Sequence, residues 1–482
     1  MDFDVEPLSV VSAGLVTSER VVLLADRPDF RQPYKFELWI PGPAEADRSR
    51  GLELLWARVV SIMAAVVGTS QLRILCGCAE TFEHVREGFA SHTGVSRVLE
   101  AFGPVSLTRV EDEVVLPKED TFLPFVGRST CQAELCGVPV ERRVYVGLDF
   151  GRSDVKAAAV DGHGKVFSTH VTRWWRPEAG ERKYLDPQAL ESHEQHLACL
   201  SEAALAVLKQ TPEANMVLCG LGLSAAGCVR EGHLVGVPPA FGGVDQAVAA
   251  GALSDLVGAV LGIVRQSIAV AEHCATLLMN DGDASAMYGA AGLEGTDSAG
   301  LFLSCGTGLA GGIVRDGRCC NGVLELGKLV MGLRKPGGSG IVPRHDGMGV
   351  EGAAQGLAGT QRALFNLLAT RGGERIEGKA EQRAALVAMQ KRGLDAEVRD
   401  VFERLGFWLA EFVLELMSYL PFSIEYVEAG GKLVDGPAGA VLLQRASEIL
   451  RSHGVREVRR ATDSEFGQAV AMAQAVRHPT DC

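Results

Sequence analysis

The sequence predicts an α/β protein that contains a duplicated domain, preceded by a further α/β segment. Val144–Phe150, Gly151–Asp154 and Val155–Val160 read as strand, glycine turn and strand, and Asp161-Gly-His-Gly164 turns the chain into a third strand, Lys165–Val171. About 155 residues later the pattern returns: Leu301–Cys305, the turn Gly306–Gly308, the strand Ala310–Val314 and the Asp-Gly turn Arg315–Arg318. With 482 residues, 47% hydrophobic and 22% charged, the chain has room for two or three domains and can bury a real core. Its 57 glycines show no collagen-like period and point to many tight turns.

Taken in order, residues 1–142 mix strands (Val21–Leu24, Phe36–Ile40, Leu72–Leu75) with helices (Leu52–Val67, Thr81–Ala90), and a boundary falls near Gly137–Arg143. Between the two copies, Pro187–Lys209, Asp245–Leu261 and Asp283–Gly292 have helical spacing, the first with Asp186 as its N-cap. After the second copy, Gly349–Arg371 and Glu381–Arg392 read as helices ended by Gly372-Gly373 and Gly393. A long amphipathic helix over Val398–Leu420, the strand Ile424–Ala429 with Gly430-Gly431 behind it, and helices Ala438–Gly454 and Phe466–Val476 complete the chain. The expected domains are 1–142, a first lobe over 143–278 and a second over 279–463, with a C-terminal helix over 464–477 packing back on the first lobe.

Several functions are disfavoured. The formal charge is −13, and residues 1–142 carry seven more acidic than basic residues and no helix-turn-helix pattern, so nucleic acid is not an expected partner. The longest apolar stretches, Leu52–Gly68 and Ala247–Val264, are interrupted by Arg58 and Asp255, which favours buried helices over membrane spans. An acidic start without a leader pattern and twelve scattered cysteines give a cytoplasmic expectation, with the thiols reduced.

Three glycine motifs compete. Gly306-Thr-Gly-Leu-Ala-Gly311 matches a dinucleotide fingerprint, but a strand follows it where that fingerprint needs a helix. Gly322-Val-Leu-Glu-Leu-Gly-Lys328 nearly matches a P-loop, but Leu329 stands where a hydroxyl must hold Mg²⁺. In the third reading, Gly151 and Gly306–Gly308 offer backbone N–H groups to the phosphates of ATP. Asp149 lies at the end of its strand near the Mg²⁺, and Gly430-Gly431 lets an adenosine approach the backbone.

From about Val144 to Val476 the chain resembles the ROK family of sugar kinases, within the sugar kinase/Hsp70/actin superfamily. Val146-Gly-Leu-Asp-Phe-Gly-Arg-Ser-Asp-Val-Lys156 resembles its first phosphate motif, D-x-G-G-T, with Arg152 for the second Gly and Ser153 for Thr. Leu221-Gly-Leu-Ser-Ala-Ala-Gly227 resembles the strand and turn before the substrate loop, and Met279-Asn-Asp-Gly-Asp-Ala-Ser-Ala286 the N-D-A-N-A-A segment. Gly306–Val314 resembles the second phosphate motif, Glu325-Leu-Gly-Lys328 the G-E-x-G-H segment, and Gly349–Gly356 the C-L-E-x-x-x-S-G segment.

The resemblance implies a duplicated ribonuclease H-like, actin-like ATPase fold in two lobes and a glucokinase-like activity, ATP-dependent phosphorylation of a hexose or amino-sugar hydroxyl. Asp281 is the implied general base, and it also suits the N-terminus of the helix Asp283–Gly292. Asn280, Asp281, Glu325, Lys328 and Glu351 are the implied sugar contacts. Asp149, Gly151, Arg152, Ser153, Gly306, Thr307, Gly308, Gly430 and Gly431 are the implied nucleotide contacts, with Asp149 reaching Mg²⁺ through ATP. Lys328 stands at the family's zinc-binding His and no cysteine lies between Arg334 and Glu351, so no zinc is expected. Sugar and ATP are the expected partners, with a homodimer as one open assembly. Two alternatives stand beside the kinase: a sugar-sensing regulator with weak or no catalysis, and a degenerate copy in which residues 1–142 mediate assembly.

Overall fold

A computed structural model describes residues 5–27, 33–92, 95, 99, 104–110, 137–151, 154–178, 181–184, 190, 192–210, 215–230, 232–235, 255–290, 299–306, 308–315, 318–320, 325–336, 353–355, 360–370, 376, 379–391, 395–461 and 465–477. The N-terminal segment runs β1 (Val5–Pro7), α1 (Leu8–Gly14), β2 (Glu19–Asp26), β3 (Tyr34–Ile40), α2 (Arg48–Val60), a π-helical turn (Ser61–Val66), β4 (Gln71–Cys76), α3 (Ala79–Ser91) and β5 (Ser106–Val110). Strands β6 (Arg143–Phe150), β7 (Asp154–Asp161) and β8 (Val166–Arg173) follow, then a hairpin of β9 (Trp175–Glu178) and β10 (Glu181–Tyr184). Next come α4 (His193–Leu208), β11 (Val217–Ala225), the short hairpin β12 (Cys228–Arg230) and β13 (His233–Val235), α5 (Leu256–Val264), β14 (Val270–Asn280) and α6 (Asp281–Ala290). The second copy holds β15 (Ala299–Cys305), β16 (Leu309–Arg315), β17 (Arg318–Cys320), β18 (Val330–Arg334) and β19 (Ala353–Gln355). It ends with α7 (Gln361–Thr370), α8 (Lys379–Lys391), α9 (Ala396–Met417), β20 (Ile424–Gly430), α10 (Gly436–Arg451), β21 (Glu457–Arg460) and α11 (Gly467–Ala475).

The duplication is visible in strand order. One five-stranded sheet runs β14-β11-β6-β7-β8 and the other β17-β16-β15-β20-β21, the same order by position in each copy. In the first, β6, β7 and β8 form an antiparallel meander while β11 and β14 add in parallel. In the second, β20 and β21 add in parallel to β15. This is the duplicated ribonuclease H-like α/β arrangement that the sequence predicts.

Contacts divide the chain into two compact units. One comprises Met1–Pro124, Ser298–Ala310 and Gly322–Ala461; the other comprises Phe125–Asp297, Gly311–Asn321 and Thr462–Cys482. The N-terminal segment thus clusters with the later part of the chain, and the division runs through β16.

In the second unit, the pleat of β6 sorts its residues. Val144, Val146, Leu148 and Phe150 enter a core with Cys199, Leu200 and Ala203 of α4 and with α5. Tyr145 on the opposite face packs with Ala473 and Val476 at the C-terminal helix. Gly147 and Gly222 sit opposite each other on β6 and β11. A Cβ at Gly147 would overlap the Ala469 carbonyl, and one at Gly222 the Met472 carbonyl, so α11 rests with its backbone directly on the sheet. Asp255, which breaks an apolar run, is the N-cap of α5 and accepts from Gly258 N at 2.9 Å.

In the first unit, a four-stranded sheet in the order β3-β2-β4-β5 buries its central strand β2. Several bonds join the segment to the later chain. β1 pairs antiparallel with β18, Val5 opposite Arg334. Arg58, the charge inside the apolar helix, is buried and ion-paired with Glu415 of α9. Tyr34 Oη donates to the Tyr419 carbonyl at 3.0 Å.

The helix expected over Gly349–Arg371 is corrected. Residues 353–355 are a strand, and the helix begins only at Gln361, where Thr360 Oγ1 accepts from Ala363 N at 3.0 Å. Glycines at 349, 352, 356 and 359 deprive the earlier stretch of helix propensity.

Candidate functional site

Each unit carries a cluster of the residues singled out from the sequence, and each is described by itself. In the second unit the carboxyl ends of three neighbouring parallel strands converge. Register places Asp149 of β6 opposite Ser224 of β11, and Ala225 of β11 opposite Asn280 of β14. Open α/β sheets bind ligands outside such strand ends. Asp149 is 7% exposed. Ser224 Oγ lies 3.5 Å from Asp149 Oδ1, and Lys156 Nζ, across the hairpin, lies 3.7 Å from Asp149 Oδ2 and also 3.7 Å from Asp154 Oδ1. Burial pushes the Asp149 carboxyl above its ordinary range, opposed chiefly by the Lys156 charge.

Asn280 and Asp281 sit where β14 becomes α6. Asn280 Nδ2 donates to the Gly227 carbonyl at 2.8 Å, while Gly282 N–H reaches Asn280 Oδ1 at 2.7 Å and Asp281 Oδ1 at 2.9 Å. The side chains of both residues therefore hold the first turn of the helix. A Cβ at Gly282 would overlap the Gly311 backbone, so this helix start rests on β16 three residues past the second glycine turn. Gln468 of α11 donates to Ser285 Oγ at 2.6 Å and ties the C-terminal helix to the same helix.

The first glycine turn is secured by a residue that sequence reasoning missed. Trp174, fully buried, donates Nε1–H to the Gly151 carbonyl at 3.0 Å and packs against Phe150 with ring centroids 4.8 Å apart. Lys156 and Ser224 were missed as well, although both lie inside the motifs; alternation places Lys156 on the Asp149 side of its strand, and the register pairs the two. Arg152 and Ser153 lie outside the described residues.

In the first unit the two other glycine motifs meet. β15 and β20 are parallel neighbours, with Ser304 opposite Gly430. The Gly306–Gly308 turn and Gly430-Gly431 therefore follow adjacent strand ends. Gly306 N–H donates to the Gly308 carbonyl at 3.1 Å, and Gln361 N–H, at the start of α7, donates to the Gly306 carbonyl at 3.0 Å. The turn thus sits beside a helix N-terminus, where N–H groups and the helix dipole favour anions. Gly431 has φ +102°, and a Cβ there would overlap the Cys305 carbonyl. Burial pushes the Cys305 thiol up to about 12, so it stays a neutral wall residue.

Glu325 precedes and Lys328 ends a short 3₁₀ turn, Leu326–Lys328. Their side chains pair at 3.8 Å and remain partly accessible. A Cβ at Gly327 would crowd the Leu309 carbonyl, so this turn lies against the first residue after the second glycine turn. Thr307 and Glu351 lie outside the described residues. Among the described residues no group of three or more His, Cys, Asp or Glu side chains could hold a metal ion, and no helix is long and apolar enough to cross a membrane.

No protein-family model matches the chain, and no curated protein matches it. Solved structures do. A ROK hexokinase from Thermus thermophilus is similar at 21% identity and TM-score 0.47, over 68% of this chain and 96% of that chain. A ROK family glucokinase from Streptomyces griseus, solved with glucose and AMPPNP, is similar at 20% identity and TM-score 0.45, over 70% and 99%. A ROK family transcriptional regulator, a homologue of the E. coli MLC protein, is similar at 16% identity and TM-score 0.48, over 71% and 80%. Each is described as belonging to the family that the motifs of this sequence resemble.

Proposed function

We propose that the protein transfers the γ-phosphoryl group of Mg-ATP to a hydroxyl of a hexose or amino sugar. The observation that carries this reading is the convergence of Asp149, Ser224, Asn280 and Asp281 at three adjacent strand ends. The matching edge of the other sheet, with its two glycine motifs beside the start of α7, supports a phosphate-binding role.

In this reading Asp281 accepts the proton of the sugar hydroxyl as its oxygen bonds to the γ-phosphorus. The bond from the γ-phosphorus to the β–γ bridging oxygen breaks, and ADP leaves. Asn280, Glu325, Lys328 and Glu351 orient the sugar. Gly306, Thr307 and Gly308 offer N–H groups to phosphate oxygens, Gly151, Arg152 and Ser153 are further nucleotide contacts, and Gly430-Gly431 accommodates the adenosine. The buried carboxylate of Asp149 suits Mg²⁺, which is usually held by one or two carboxylates together with substrate phosphates. When bound, the ion neutralises charge on the phosphates. Lys156, beside Asp149, adds a positive charge on the same side of the hairpin.

The test is ADP release from Mg-ATP over a panel of glucose, mannose, galactose, glucosamine, N-acetylglucosamine and N-acetylmannosamine, with Asp281→Asn beside the parent. Sugar-dependent turnover lost in the variant supports the kinase. ATP or sugar binding without turnover on any sugar overturns it in favour of a sensor.

A further inference from the structure

Helix α2 does not end in ordinary α geometry. Over Ser61–Val66 it widens into a π turn in which Val67 N–H reaches the Ile62 carbonyl at 2.8 Å. All six residues are buried. Such turns are rare and concentrate where function needs a particular backbone position.

This one presents two acceptors to a segment far along the chain. Ser61 Oγ accepts from Val330 N–H at 3.0 Å, and the Ala65 carbonyl accepts from Glu325 N–H at 3.5 Å. The Ala65 carbonyl belongs to the last turn of the helix, where carbonyls lack intrahelical donors. The two bonded amides bracket the 3₁₀ turn that carries Glu325 and Lys328. That turn has little structure of its own: Lys328 N–H to the Glu325 carbonyl at 2.8 Å and Leu329 N–H to the Leu326 carbonyl at 3.1 Å. Beyond it, β1 pairs with β18, Glu6 opposite Leu333. The brace is itself anchored, because Arg58, three residues before Ser61, is bonded to Glu415 and to Ser418 Oγ.

We propose that the N-terminal segment is a positioning brace, in which the buried π turn fixes the backbone of Glu325–Val330 through Ser61 and Ala65. For substrate placement, this rests on the sugar-kinase reading. The bracing itself does not. Ser61 is a positioning residue that acts through the Glu325–Lys328 turn.

Hydrogen exchange by mass spectrometry on the full chain tests it, comparing the parent, Ser61→Ala and a control, Ser9→Ala, whose hydroxyl bonds Glu411 on the surface. In Ser61→Ala the amides of 325–334 should exchange about tenfold faster, because a buried N–H loses its acceptor, with β4 and β20 unchanged. If the parent phosphorylates a sugar of the panel, Ser61→Ala should also raise the KM for that sugar about five- to tenfold and leave the KM for ATP unchanged. Exchange over 325–334 equal to the parent's, acceleration spread evenly to β4 and β20, or KM values for ATP and sugar rising together would each overturn the brace. If the parent turns over no sugar, the kinase reading fails and the exchange pattern alone decides the brace.

Discussion

Breaking the ion pair of Arg58 and Glu415 should loosen the whole N-terminal segment. Arg58 is 9% and Glu415 4% exposed at the side chain. The guanidinium also donates to Ser418 Oγ at 2.8 Å and lies over the rings of Tyr419 and Phe36, 5.2 and 5.8 Å from their centroids. Removing one partner of a buried pair costs about 3–5 kcal/mol, and the lost cation–π contacts add up to about 2 kcal/mol for Arg58→Met. Burial pushes the Glu415 carboxyl up, and the Arg58 charge opposes that shift. Without Arg58 the carboxyl can take up a proton, which moderates the loss. Arg58 has no such escape, so Glu415→Leu should fall at the upper end of the range. Arg58→Met combined with Glu415→Leu should lie within about 2 kcal/mol of the parent, giving a coupling of about 3 kcal/mol or more. The sign of the pH effect follows. A carboxyl raised on folding contributes stability below its ordinary value of 4.5 and loses it as pH rises through the folded value. The deficit of Arg58→Met should therefore shrink from pH 8 towards pH 5. Urea unfolding of the four proteins, followed by tryptophan fluorescence and by exchange of β2 and β4, measures the cycle. Single-variant costs that add to within about 0.5 kcal/mol would refute the pair as the lock.

Other outcomes follow from the same geometry. Asp281→Asn should lower sugar-dependent turnover by about 10²–10⁴-fold while the melting temperature stays put, since an amide oxygen can still accept from Gly282 N–H. Asp149→Asn should abolish ATP-dependent turnover yet leave the apo protein as stable or more stable at pH 7, with the gain growing as pH rises above 4, because it removes a charge that burial disfavours; a fall in melting temperature would refute this. Gly431→Ala should raise the KM for ATP about 5- to 100-fold, from left-handed strain and overlap with the Cys305 carbonyl, with the sugar KM unchanged. Gly222→Ala should cost more than about 3 kcal/mol and expose α11 to proteolysis, because no rotamer relieves a clash with the Met472 carbonyl.

What was legible in the sequence was local. The two meanders are written in turns of adjacent residues, and Asp149 and Asn280 fall at strand ends because apolar runs stop there. Elements whose signal is non-local escaped. β1 and β18 pair across most of the chain, and neither has an apolar alternation of its own. β21, Glu457–Arg460, is a charged edge strand that reads as loop. In β14, Glu272 and His273 interrupt the pattern of a strand that is continuously buried only over its last three residues. Arg58 looked like an interruption of an apolar helix because its partner is 357 residues away. At the site, Trp174 was invisible for the same reason: its bond to Gly151 spans 23 residues and follows no motif.

The pairing of the first strand with β18 also sets a timetable for synthesis. Ribosomes add about 5–20 residues per second, so the partners of β1, Arg58 and the π turn emerge roughly 13–70 s after them. During that interval the nascent chain carries an open strand edge, a buried-type arginine without its carboxylate and an apolar π turn with no cover. Chains terminated before β18 should therefore bind holdase chaperones or aggregate, whereas chains extended past α9 hold every one of these partners. A segment translated before its partners is thus among the last to be completed.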